Sequence, residues 1–149
     1  MTANIPSIYR AVFLYWDPPC AIWGAYLSFF VRDMTLDSFM PGSAASRDAA
    51  HDMLFYHQGG SLLGAAIING YLLRYTKDVF IWKVVQAAIL CIDVALLVGM
   101  TGHLSGQGRL SPAAWTGYDW LGIIITGGVT VARTLFIAGV GLSEKGKTS

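Results

Sequence analysis

The stretch VFIWKVVQAAILCIDVALLVGM, residues 79–100, holds only Lys83 and Asp93 as charged side chains. At about 1.5 Å rise per residue it is long enough, as a helix, to cross the roughly 30 Å hydrocarbon core of a bilayer. It is too long and too apolar for an ordinary core helix of a soluble domain. Three further windows read the same way: 8–31, 53–75 and 119–142. The whole chain of 149 residues agrees, being 54% hydrophobic and 13% charged, about half the charge a soluble globular domain carries. The expectation is an all-α, four-transmembrane-helix bundle, a single integral membrane domain over residues 1–149 with the lipid bilayer as its solvent. A formal net charge of +1 leaves no field to hold a nucleic acid, so no nucleic-acid partner is expected. Cys20 and Cys91 sit inside apolar runs and read as small core residues, not as a disulfide framework.

Between the windows lie a polar stretch with Pro41 and Gly42 (32–52), a tight turn (76–78) and a Gly/Ser-rich loop (101–118), all read as connectors. Residues 143–149 read as a short solvated tail. The first window has no basic leader and carries Asp17-Pro18-Pro19 at its centre, so it reads as a retained helix and not as a cleaved signal. Arg10, Arg74, Lys77, Lys83, Lys145 and Lys147 fall on one side of such a bundle, and Arg32, Arg47 and Arg109 on the other. That asymmetry places both termini in the cytoplasm. Paired aromatics such as Phe29 and Phe30, Tyr71 and Tyr75, and Trp115 and Trp120 suit headgroup depth. Small residues at Gly60 and Gly64, and at Gly128 and Ala132, suit close helix approach, within the bundle or between copies in a homo-oligomer.

Ionisable side chains cost at least about 2.5 kcal/mol each near the bilayer centre on insertion scales, so they need a reason there. Counting rise from the cytoplasmic side puts Asp17 and Arg133 about 13–14 Å deep, Asp93 about 21 Å deep, and Asn69 and Gln86 about 9–11 Å deep. Together they suit one polar cluster linking all four helices. Pro18 and Pro19 remove two backbone donors and disfavour helix at Asp17, so a kink or break facing the bundle interior is expected there. One bland reading is a permanent ion pair or triad that fixes helix register. The alternative starts from the count of two acids against one base: the spare carboxyl stays protonated, as a general acid must. An Arg cannot give up its proton, so the donor is an Asp and Arg133 its counter-ion or oxyanion partner. Asp93 is favoured because it lies about 7 Å from the Arg in depth, whereas Asp17 is level with it.

The remaining signals are weaker. Asp48, His51, Asp52 and His57 match no metal spacing, and neither a metal nor a cofactor is expected. His57 and His103 read as interfacial. Asp119 reads as a cap on the fourth helix and as the edge of a pocket mouth. Residues 141–148 fit the phosphate-loop pattern, but a membrane helix precedes them where that loop needs a strand.

Asp17-Pro18, Asp93, Asp119-Trp120 and Arg133 leading to Gly139-Val140-Gly141 resemble a family of small four-helix membrane proteins of filamentous fungi without an assigned function. The resemblance extends over nearly the whole chain. In that family a His-Leu-Tyr-like element follows the third-helix Asp, whereas here His103-Leu104 is followed by Ser105. The family is broadly similar to the membrane-bound terpene cyclases of fungal meroterpenoid pathways and to the EXPERA-type isomerases. The resemblance implies a membrane-embedded cyclase or isomerase of secondary metabolism, residing in the endoplasmic reticulum, with a lipophilic terpenoid or sterol-like small molecule as substrate. Asp93, Asp17 and Arg133 would be catalytic. Trp16, Trp23, Asn69, Gln86 and Asp119 would bind substrate, the aromatics steadying a cationic intermediate by their ring faces. A non-catalytic lipophile-binding or accessory subunit would use the same cavity without proton transfer, and a transporter subunit would need more helices than four.

Overall fold

The computed structural model describes residues 5–142, and among them there is no strand. Ser7–Ala11, a π-helical turn Val12–Trp16 and Asp17–Phe30 run on without interruption as one helix, α1. Arg32–Phe39 is α2. Asp52–Ile67, a second π turn Ile68–Leu72 and Leu73–Tyr75 form α3. Val79–Gly106 is α4 and Gly117–Ile137 is α5. Helices α1 and α3 pack as one pair and α4 and α5 as another, with α2 laid against α5. At one end Tyr9, Phe13, Leu14, Leu73, Trp82 and Phe136 join all four long helices in one core, against which Ile5 and Leu142 also pack. The rings of Tyr9 and Phe13 meet Phe136 edge-on at 5.0 and 5.5 Å, a favoured aromatic geometry.

Two helices, α4 and α5, are long and apolar enough to cross a membrane, with mean hydropathy 2.2 and 1.7. Only 17% and 11% of their most apolar windows is buried inside the protein, so most of their apolar surface faces outward. Large side chains such as Ile22, Ile67, Val98, Ile124 and Val131 stand exposed around the outside of all four long helices. A water-facing surface rarely carries more than a few hundred Å² of contiguous apolar area.

Several boundaries differ from the sequence reading, for local reasons. The 32–52 connector contains α2, whose Thr35 and Ser38 hydroxyls donate to the carbonyls of Val31 and Thr35. Helix α4 runs on to Gly106 because Met100 and Leu104 keep its last turns on the bundle. It closes where Gly108 takes φ +67 and Arg109 N–H reaches back to the Leu104 carbonyl, a Schellman ending that glycine permits. Helix α5 starts at Gly117 behind a capping box of Thr116 and Asp119, and stops at Ile137, short of residue 142. Gly60, Gly64 and Gly128 have open space where a side chain would stand. The close approaches fall instead at Gly24 against Leu62, at Gly59 against Phe29 and at Gly122 against Met100, where a Cβ would make the neighbouring side chain shift. Cys91 lies on the outside, not in the core. The expected tail 143–149, with most of the phosphate-loop match, lies outside the described residues.

Candidate functional site

The Asp-Pro-Pro sequence does not break α1. The chain instead widens into the π turn Val12–Trp16 directly before it, and Pro18 and Pro19 occupy the first turn of the following α segment, where a missing N–H costs least. The carbonyl four residues before Pro18 belongs to Leu14, and it accepts a hydrogen bond from Arg74 Nη2 at 3.3 Å. Arg74 also lies over the Tyr15 ring, 5.2 Å from its centre. The π turn of α3 packs against that of α1, close enough that a Cβ on Gly70 would stand 3.4 Å from Pro18 Cβ. A π turn adds one residue to a helical turn and so rotates the side chains beyond it about the helix axis. Here the two bring Asp17 and Asn69 face to face.

Around that contact one buried network closes. Arg133 Nε donates to Gln86 Oε1 at 3.0 Å, and Gln86 Nε2 donates to Asn69 Oδ1 at 2.9 Å. Asn69 Nδ2 and Arg133 Nη2 both donate to Asp17 Oδ2, closing a ring through all four long helices. Arg133 Nη1 reaches out of the ring to Asp93 Oδ2. Asn69 and Gln86 are fully buried, and the Arg133 side chain is 1% exposed, against 13% for the Asp17 and Asp93 side chains. Among the described residues Asp93 has Arg133 as its one hydrogen-bond partner. Asp17 has two, Arg133 and Asn69.

Two expectations about this cluster are corrected. Arg133 is held against both carboxylates, so the carboxyl expected to be spare is in contact with it too. Nor is Asp93 separated from it by 7 Å of depth, because a helical side chain leans towards its own N-terminus. Helices α4 and α5 start at opposite ends of the bundle, so Asp93 and Arg133 lean towards each other and the gap closes. Trp16 and Trp23, expected to bind substrate, are 55% and 58% exposed on the outer surface. At 100° per residue both stand roughly 100–120° round the helix from Asp17, on the same side. Asp119 lies fourteen positions before Arg133 on α5, about 21 Å away along the axis. It accepts from the Thr116 amide at 2.7 Å and the Thr116 hydroxyl at 2.8 Å and pairs with Arg109, so it caps the helix and does not edge the cluster.

A second polar assembly, which the sequence reading missed, sits at the other end of α1. Arg32 donates to Asp52 Oδ2 at 2.6 Å and to the Tyr56 hydroxyl at 2.8 Å, and Arg47 donates to Asp33 Oδ1 at 2.5 Å and to Asp52 Oδ1. Asp52, expected as a solvated helix start, is the acid both arginines share. Among the described residues no three His, Cys, Asp or Glu side chains gather as a metal site. The only advance signal for Arg74 was the carbonyl that Pro18 leaves free, and it names no particular donor.

A family model described as a domain of unknown function, DUF7704, matches residues 2–143. No curated protein and no solved structure matches the chain.

Proposed function

The chain belongs to the DUF7704 family, and on that footing we propose that it is a four-helix integral membrane enzyme that isomerises or cyclises a lipophilic substrate by proton transfer from Asp93. In this reading α1 and α3, each about 36 Å long as a continuous helix, cross the bilayer with α4 and α5. Both termini lie on the cytoplasmic side, a placement supported by Ile5 and Leu142 packing at one end of the bundle and by the basic residues gathered there. The substrate is terpenoid or sterol-like, the setting secondary metabolism and the membrane that of the endoplasmic reticulum. These three points rest on the family resemblance of the sequence.

One observation carries the reading: a single buried guanidinium is shared by two carboxylates. Arg133 balances one negative charge. A second one in hydrocarbon would cost several kcal/mol, which a bound proton removes. Asp17 accepts hydrogen bonds from both Asn69 and Arg133, which favour its charged form, so the proton resides on Asp93, which accepts from Arg133 alone. Asp93 delivers it to an alkene, epoxide or enone and becomes a carboxylate held by Arg133. Loss of a proton from the resulting cation back to Asp93 restores the site. No net proton or electron is consumed.

The closed ring of Arg133, Gln86, Asn69 and Asp17 also favours a second reading, an accessory subunit that binds a lipophile over a purely structural network. Mass spectrometry of lipophilic molecules retained by the purified protein, before and after incubation with candidate terpenoids, separates the two. A changed skeleton that disappears in Asp93→Asn supports catalysis. Retention of unchanged molecules by wild type and variant alike supports binding alone.

A further inference from the structure

At the end of α1 remote from the aromatic core, Phe30, Val31, Arg32, Asp33 and Arg47 line an open pocket of about 260 Å³. That is below the range of pockets that enclose a whole drug-sized ligand, roughly 300–1,000 Å³, and suits a headgroup whose tails lie outside. Arg32 is one of the lining residues, and its Nε is buried without a hydrogen-bond partner among the described residues. Burial of such a donor is costly unless an acceptor reaches it. Arg47 uses Nε and Nη1 on Asp33 and Asp52, which leaves Nη2 for a ligand. Beside Arg47 in the lining, Asp33 bonds it through Oδ1 only, and its side chain is two-thirds exposed. Phe30, two positions before Arg32 in the chain, is largely exposed.

The position depends on the membrane-spanning reading, on which this inference rests. A helix over 7–30 measures about 36 Å, so its last turn leaves the hydrocarbon and Arg32 stands at phosphate level. Residues 32–52 carry two arginines against Asp33, Asp37, Asp48 and Asp52. That balance repels an anionic headgroup and suits one with both signs. We infer that this pocket seats the headgroup of a zwitterionic phospholipid, its phosphate oxygens on Arg32 and Arg47, its ammonium on Asp33, and its acyl chains along Phe30.

The test is native mass spectrometry of the full chain, delipidated in detergent and offered phosphatidylcholine, phosphatidylglycerol or diacylglycerol. Phosphatidylcholine should be retained about tenfold over the other two, a difference of affinity readable directly. Arg47→Gln should abolish that preference. So should Val31→Trp, which fills the pocket without touching an ion pair and so separates loss of the site from loss of folding. Asp33→Asn should bring phosphatidylglycerol level with phosphatidylcholine. Equal retention of diacylglycerol, or an undiminished preference in Val31→Trp, overturns the inference. Displacement by excess inorganic phosphate overturns it too, by assigning the same oxyanion site to free phosphate. Resistance of the chain to alkaline carbonate extraction is scored separately, so that a chain integrated in the membrane but without lipid preference counts against the pocket alone.

Discussion

Charge balance around Arg133 makes the two aspartates interchangeable one at a time and indispensable together. In Asp93→Asn the amide keeps the size of the side chain and an oxygen for Arg133 Nη1, while Asp17 remains as the counter-ion. The cost should be about 1 kcal/mol, that of one altered hydrogen bond. In Asp17→Asn the proton on Asp93 leaves, Asp93 becomes the counter-ion, and the cost is again about 1 kcal/mol. The double variant leaves a guanidinium buried without an anion, a situation worth roughly 3–5 kcal/mol. The pair is therefore non-additive: the double loss should exceed the summed singles by about 1–3 kcal/mol, within the range of coupling between groups of one network. Equilibrium unfolding in mixed micelles, run on all four proteins at neutral pH, measures it. Two results refute the reasoning. If each single substitution alone costs roughly 3–5 kcal/mol, both carboxylates are ionised in the folded protein and no proton is stored. If the double cost equals the sum, the carboxylates do not share the arginine.

Particular contacts carry further consequences. Arg74→Ala should destabilise the protein by about 1 kcal/mol by freeing the Leu14 carbonyl, and by less in a Pro18→Ala background, where the restored amide serves that carbonyl; equal losses in both backgrounds would show that the contact carries no weight. Trp16→Leu and Trp23→Leu, on the outer surface, should leave product formation within about twofold of wild type, since surface changes of this kind stay within about 0.5 kcal/mol; a larger drop returns these rings to the substrate site. Tags on residues 1 and 149 should both resist labelling from outside sealed right-side-out vesicles, and labelling of one alone would remove a span.

The four long helices were legible because their windows are long and apolar, and the five polar residues among them because each interrupts such a window. Each of Asp17, Asn69, Gln86, Asp93 and Arg133 stood out singly against its apolar neighbours. The contacts among them were less legible. Helical rise alone put Asp93 a turn too deep, because it follows the backbone and ignores the opposite lean of side chains on antiparallel helices. Of the kink or break expected at Pro18, no break formed, and the irregularity is a π turn directly before Asp17. A π turn upstream and an arginine from another helix absorb the two missing amides, and neither leaves a periodic trace in the sequence. The resemblance alone made Trp16 and Trp23 candidates for the substrate site, whereas their angle from Asp17 on the helix turns them outward. The web of Arg32, Asp33, Arg47 and Asp52 was hidden because its members lie up to twenty positions apart, in a stretch whose composition reads as a plain connector.

The proton proposed on Asp93 is open to direct observation. Infrared spectroscopy of the protein in lipid at neutral pH should show the carbonyl stretch of one protonated carboxyl. Because Arg133 needs one anion and no more, that band should vanish in Asp93→Asn, and also in Asp17→Asn, where Asp93 ionises to serve the guanidinium. A wild-type spectrum with no such band, or a band that survives in Asp93→Asn, would contradict the assignment of a transferable proton to Asp93.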